Sequence, residues 1–91
     1  MAVIHYSIRV KGLVQGVGFR YATLREAGRR GVTGTVRNED DGGVAIEAEG
    51  ERAALNQFKK WCEGGPAGAV VQTFTCQEKP LVGFTSFEIE A

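Results

Sequence analysis

Val3-Ile4-His5-Tyr6-Ser7-Ile8-Arg9-Val10-Lys11 runs directly into Gly12-Leu13-Val14-Gln15-Gly16-Val17-Gly18-Phe19-Arg20, and this junction decides how the rest of the chain is read. The first segment has period two. Ile4, Tyr6, Ile8 and Val10 share one face; His5, Ser7, Arg9 and Lys11 share the other. Successive side chains of a strand point to opposite faces, so residues 3–11 are predicted to form a strand with one dry and one wet side. That is the habit of an antiparallel sheet covered on one side only. The second segment, with three glycines between Gly12 and Gly18, reads as a tight loop.

Working outward, residues 20–30 suit a helix, with Leu24, Tyr21 and Ala27 on its inner side and Gly31 placed to end it. Residues 32–38 form a second strand, with Val32, Gly34, Val36 and Asn38 on one face. Glu39-Asp40-Asp41-Gly42-Gly43 is a polar turn holding the Asp-Gly pair that hairpins favour. Val44 to Glu49 returns as a strand that Gly50 breaks. Residues 51–63 make a second helix, with Leu55, Phe58 and Cys62 at helical spacing and Trp61 beside them; Gly64-Gly65-Pro66 stops it. Residues 69–77 and 84–90 are the last strands, with Phe74, Cys76, Phe87 and Ile89 pointing inward. The order is β-α-β-β-α-β plus a short final strand. This is an α+β fold, a ferredoxin-like sandwich: a mainly antiparallel sheet of four strands and a short fifth, with two helices on one face.

With 91 residues, the chain is read as a single domain over 1–91. A domain this short holds one modest core, so a ligand is expected in a surface cradle and not in a deep cavity. Lys plus Arg number 11, as do Asp plus Glu, which leaves no basic excess of the kind nucleic-acid binders carry. An anionic ligand is therefore expected to be caught by local geometry and one or two placed cations, not by an overall field. Two cysteines, Cys62 and Cys76, make neither a disulfide framework nor a zinc pair, although their spacing leaves open whether they bond to each other. The segment from Met1 to Val10 lacks the apolar run of a signal peptide. A cytoplasmic location, no membrane attachment, no nucleic-acid partner and a monomer are the expectations.

The chemistry is expected at Gly12–Arg20. A glycine-rich loop between a strand and a helix lets successive N–H groups converge, and the helix start adds about half a positive charge. The same residues also suit a plain tight connection. Arg20 tilts the reading, because a cation at a helix N-terminus costs roughly 0.3–1 kcal/mol unless an anion lies beside it. Neither a Walker A loop nor a dinucleotide fingerprint is present; the spacing suits one phosphate. Asn38, at the end of the covered strand face, is either a turn residue or an amide able to bind and aim a water. His5, the only histidine, lies on the polar face, and no Ser-His-Asp set or metal-ligand cluster is evident. Such a site offers positioning and electrostatics, enough for a substrate with a good leaving group.

These residues resemble the acylphosphatase family. Its first signature, a Gly and then x-Val-Gln-Gly-Val-x-Phe-Arg, is matched by Gly12 and Val14-Gln15-Gly16-Val17-Gly18-Phe19-Arg20. Its second is matched by Gly34-Thr35-Val36-Arg37-Asn38, Gly42-Gly43-Val44 and Gly50, except that Thr35 stands where the family usually has an aromatic residue. Residue 35 is expected on the open face, so this departure bears on packing more than on chemistry. The resemblance covers essentially the whole chain. It implies hydrolysis of carboxyl-phosphate anhydrides by water, with no metal and no cofactor. It implies that Arg20 binds the phosphate, that Asn38 orients the water, and that the amides of Gln15, Gly16, Val17, Gly18, Phe19 and Arg20 cradle the phosphoryl oxygens. Small acyl phosphates and inorganic phosphate are the implied ligands; which acyl phosphate the chain takes is not legible. An RNA-recognition module shares this element order, but the outward residues Ala45, Glu47 and Glu49 include no aromatic to stack a base.

Overall fold

The computed structural model describes residues 2–91; Met1, where the N-terminal reading begins, lies outside them. Alternation carries β1 from Val3 through Leu13, and β2 (Thr33–Asn38) and β3 (Val44–Glu51) form the hairpin closed by the acidic turn. Helices α1 (Phe19–Arg30) and α2 (Arg52–Gly64) follow the first and third strands. β4 (Val70–Lys79) and β5 (Phe87–Ile89) complete a five-stranded sheet of order β4-β1-β3-β2-β5. Every pairing is antiparallel except β2 with β5. The ferredoxin-like sandwich is therefore borne out.

The registers show why the core sits where it does. One row of the covered face reads Cys76, Ile8, Ile46, Val36 and Ile89 across all five strands. The next row reads Phe74, Val10, Val44 and Asn38, so Asn38 is the polar end of an apolar row. Leu55, Phe58 and Cys62 of α2 and Phe19 and Ala27 of α1 pack onto these rows, fully or nearly fully buried. Burying side chains of this size contributes about 1.5–3 kcal/mol each.

Several expectations need correction. The inner face of α1 is Phe19, Thr23, Glu26 and Ala27; Tyr21 is 61% exposed and Leu24 half buried. With few apolar residues to phase it, the helix is set by Phe19, which the loop reading left outside the helix, and by Glu26, which stays buried while binding Arg30 Nε at 2.8 Å. Gly50 does not break its strand: Ile4 pairs with Gly50 and Val3 with Glu51. The last strand is only Phe87–Ile89, not residues 84–90, and the fourth begins at Val70, not at residue 69. Both cysteines are free.

The open face is also drier than the alternation implies. His5 and Glu49 are only 2% and 4% exposed, and Ser7 is buried with them. His5 bridges Glu49 (3.0 Å) and Glu47 (2.7 Å), while Ser7 and Arg9 donate to the other oxygen of Glu47 at 2.8 and 3.0 Å. The segment before β5 folds across this network. Val82, Gly83 and Phe84 donate their N–H groups to the Glu49 carboxylate, and the Phe84 ring lies 5.8 Å from that of His5. Thr35 is half buried on this face, beside a groove of about 350 Å³ lined also by Gly83, Phe84 and Ser86. Residue 35 thus lies on the open face, as expected.

Gly34 fixes how closely β2 approaches β3. A Cβ at this position would stand 1.8 Å from the Glu47 carbonyl oxygen, so no other residue fits.

Burial alone would push the carboxyl of Glu49 up, but the Val82 amide, His5 and the Gly83 and Phe84 amides outweigh it and hold it below the ordinary glutamate value. A carboxylate depressed on folding stabilises fully above its unfolded pKa and loses that contribution as pH falls through its folded one. Glu49→Gln should therefore lower stability at neutral pH by about 2–4 kcal/mol and flatten the loss below about pH 4.3, measured as Tm against pH. Equal acid sensitivity in both proteins would show that Glu49 is not the group that titrates.

Candidate functional site

At the end of β1 the chain turns outward through Val14–Gly18 and enters α1. Gly16 and Gly18 have φ of 75° and 78°, the left-handed region that glycine alone enters readily. Their Cβ positions face open space, so the backbone there is bare. Among the described residues, none of the N–H groups from Gln15 to Tyr21 finds a backbone acceptor. Gly18 caps α1 without a side-chain bond, and no acidic residue occupies the first turn. The helix start is left positive and uncapped, as an anion site requires.

A cleft of about 230 Å³ opens over this backbone, lined by Val14, Gly16, Gly18, Phe19, Arg20, Tyr21, Asn38 and Ile89. That is small beside the 300–1,000 Å³ typical of larger ligands and suits a phosphoryl group with a water. The side-chain bonds and ion pairs of α1 run through Thr23, Glu26, Arg29 and Arg30; among the described residues Arg20 has none. Asn38 is half buried, and its amide likewise has no protein partner among the described residues. An unspent guanidinium and an unspent amide thus border one cleft.

The predicted residues divide by role. Gly16, Gly18, Phe19 and Arg20 line the cleft; Gln15 and Val17 do not. Val17 packs against the core. The Phe19 ring is buried 5.9 Å from that of Trp61, so its side chain anchors α1 and only its backbone faces the cleft. Gln15 turns its Nε2 to the carbonyls of Glu39 and Gly43 at 2.8 and 2.9 Å, tying the loop to the turn that follows Asn38. Sequence reasoning missed Val14, Tyr21 and Ile89. Tyr21 could have been found as the exposed neighbour of Arg20. Ile89 enters only because β5 pairs in parallel beside β2, a register no local pattern announces.

A larger groove of about 570 Å³ lies along Arg30, Asn56, Gln57, Lys60 and Trp61. Arg30 there is already bound to Glu26 and to Gln57 (2.9 Å), so the smaller cleft is the better candidate for chemistry.

The cysteines offer no nucleophile. Burial, with the nearby Glu26 charge, pushes the Cys62 thiol well up, and burial raises Cys76 too.

The family model described as Acylphosphatase matches residues 6–89. An acylphosphatase of Thermotoga maritima is 48% identical over 83 residues, covering 91% of this chain and 92% of that one. The crystal structure of acylphosphatase from Bacillus subtilis superposes with a TM-score of 0.93 at 40% identity, over 97% of this chain and 99% of that one. The structure of HypF from T. kodakarensis contains a similar segment: TM-score 0.84, 30% identity, covering 97% of this chain but 12% of that one.

Inorganic phosphate at ten times its Kd should raise the Tm of the wild-type chain by about 6–10 °C, as binding to the folded state alone predicts. Arg20→Ala should keep the fold and lose most of that shift. A full shift in the variant would place the anion elsewhere.

Proposed function

The chain belongs to the acylphosphatase family, whose members hydrolyse acyl phosphates, and we infer that it does so by direct attack of water on phosphorus, without a metal ion. The observation that carries this reading is the run of unpaired N–H groups from Gln15 to Tyr21 beside an unpaired Arg20. These donors would surround the three equatorial oxygens, where charge spreads in phosphoryl transfer. They supply the positive partners that a metal ion provides in other phosphoryl-transfer sites.

The amide of Asn38 approaches from the strand side, facing the loop and helix across the cleft. It would accept a hydrogen bond from a water and hold it for attack in line with the departing acyl oxygen. The P–O bond to the acyl group breaks, a carboxylate leaves, and phosphate remains in the cradle. Among the described residues, the side chains lining the cleft include no carboxylate and no histidine. The water's proton then passes to a phosphoryl oxygen or to solvent. A carboxylate is stable enough as a leaving group to depart without a proton from the protein.

We also read the chain as a cytoplasmic monomer without nucleic-acid or membrane partners. The two free thiols support a reducing compartment; among the described residues, no helix is long and apolar enough to cross a membrane.

The deciding experiment is hydrolysis of benzoyl phosphate, followed by absorbance, in excess EDTA. Wild type should turn over and Arg20→Lys should lose most of its activity while staying folded, because an ammonium cannot span two oxygens as the planar guanidinium does. EDTA-sensitive turnover, or near-normal rates in the lysine variant, would sink the assignment. Asn38→Ala should cut kcat by about 10²-fold or more with phosphate affinity little changed, since it removes the water's guide and leaves the cradle. Collapse of phosphate binding in that variant would make Asn38 structural.

A further inference from the structure

The formal charge of zero conceals a division between layers. Helices α1 and α2 carry five arginines and two lysines against two glutamates, Glu26 and Glu63, a net of +5. All other residues carry four of the 11 basic and nine of the 11 acidic groups, a net of −5. The cradle opens at the first turn of α1, inside the positive layer. Arg29 and Arg30 are taken up by Glu26, and Arg52 lies 3.6 Å from Glu78. Arg25, Lys59 and Lys60 have no ion pair among the described residues.

One of these cations stands beside the cleft, and a second lines the neighbouring groove on the same helical layer. Arg25 lies over the ring of Tyr21, 5.9 Å from its centroid, and Tyr21 lines the cleft. Lys60 sits beside Trp61, whose ring contacts Phe19 at the start of α1. In the turn after Asn38 and just beyond Ile89, Glu39 pairs with Arg9 and Arg37, Asp41 with Lys11 and Glu90 with Arg37, while Asp40 has no ion pair among the described residues. The unspent cations by the cleft are Arg20 and Arg25, against one unspent acid in the neighbouring turn, Asp40.

We propose that the helical layer is an electrostatic guide for the substrate, in which Arg25 and Lys60 raise the capture of multiply anionic acyl phosphates without touching the reacting atoms. This rests on the cradle being the substrate site. A local field of one sign concentrates counter-ions and speeds their association, and its reach shrinks from about 10 Å at 0.1 M salt to 3 Å at 1 M. It also predicts a preference: acyl groups that carry a further anion gain more than neutral ones.

The test compares wild type, the double variant Arg25→Gln/Lys60→Gln and the control Lys79→Gln. Lys79 pairs in register with His5, at the end of β1 far from the cradle. Hydrolysis of acetyl phosphate and of succinyl phosphate, which bears one more carboxylate, is measured from low to high NaCl. At low salt the double variant should lose roughly threefold to tenfold in kcat/KM, more for succinyl phosphate, with kcat little changed. The loss should vanish near 1 M salt, Lys79→Gln should match wild type, and Arg25→Lys/Lys60→Arg should restore wild-type values. An unchanged salt dependence in the glutamine variant, or an equal loss in Lys79→Gln, overturns the proposal. Should wild type fail to hydrolyse either compound, the functional reading falls. The guide is then judged on inorganic phosphate affinity, which must weaken in the double variant at low salt only.

Discussion

Two hydrogen bonds from one side-chain amide join the halves of the site. Gln15 Nε2 reaches the carbonyls of Glu39 and Gly43, so the loop that ends β1 and the turn that joins β2 to β3 cannot drift apart. Without that brace, the cradle loop could move relative to the turn that follows Asn38. Phosphoryl transfer rewards placement above all else, and a shift of about 1 Å between donor and acceptor can cost 10²-fold in rate. The rest of the sandwich supports this one alignment. The row Phe74, Val10, Val44 and Asn38 fixes the height of the amide, and the Phe19 ring, wedged beside Trp61, fixes the start of α1.

The two faces of the sheet stabilise it by different means. The covered face relies on apolar burial. The open face relies on a polar lattice in which His5, Ser7, Arg9, Glu47 and Glu49 satisfy one another. Glu49 is its keystone: a buried carboxylate with three backbone donors pins the segment that leads into β5. β5 in turn delivers Ile89 to the cleft. A residue on the far face of the sheet therefore governs a wall of the site without facing it.

Most of the fold was legible because strands announce themselves by alternation and turns by glycine. The registers of β1, β2 and β3 follow from which residues are apolar. What escaped had physical reasons. The phase of α1 was misread because Tyr21 is turned outward and Leu24 only half buried, while Glu26 is charged but buried with Arg30 as partner. The dryness of His5 and Glu49 came from a coil that crosses the sheet, and a crossing segment leaves no period in the sequence. In the site, Arg20 and Asn38 were legible as polar groups in places that penalise them. The side-chain role of Gln15 was not, since the carbonyls its Nε2 reaches lie in the turn after Asn38, far along the chain.

The sheet order has a consequence for how quickly the protein is made ready. Only the β2–β3 hairpin joins neighbours in sequence; His5 must meet Lys79, and Gly34 must meet Phe87. Each of those encounters closes a long loop before any contact rewards it. Such a chain folds more slowly than a helical bundle of its size. Until β5 docks beside β2, the cleft lacks the wall that Ile89 forms.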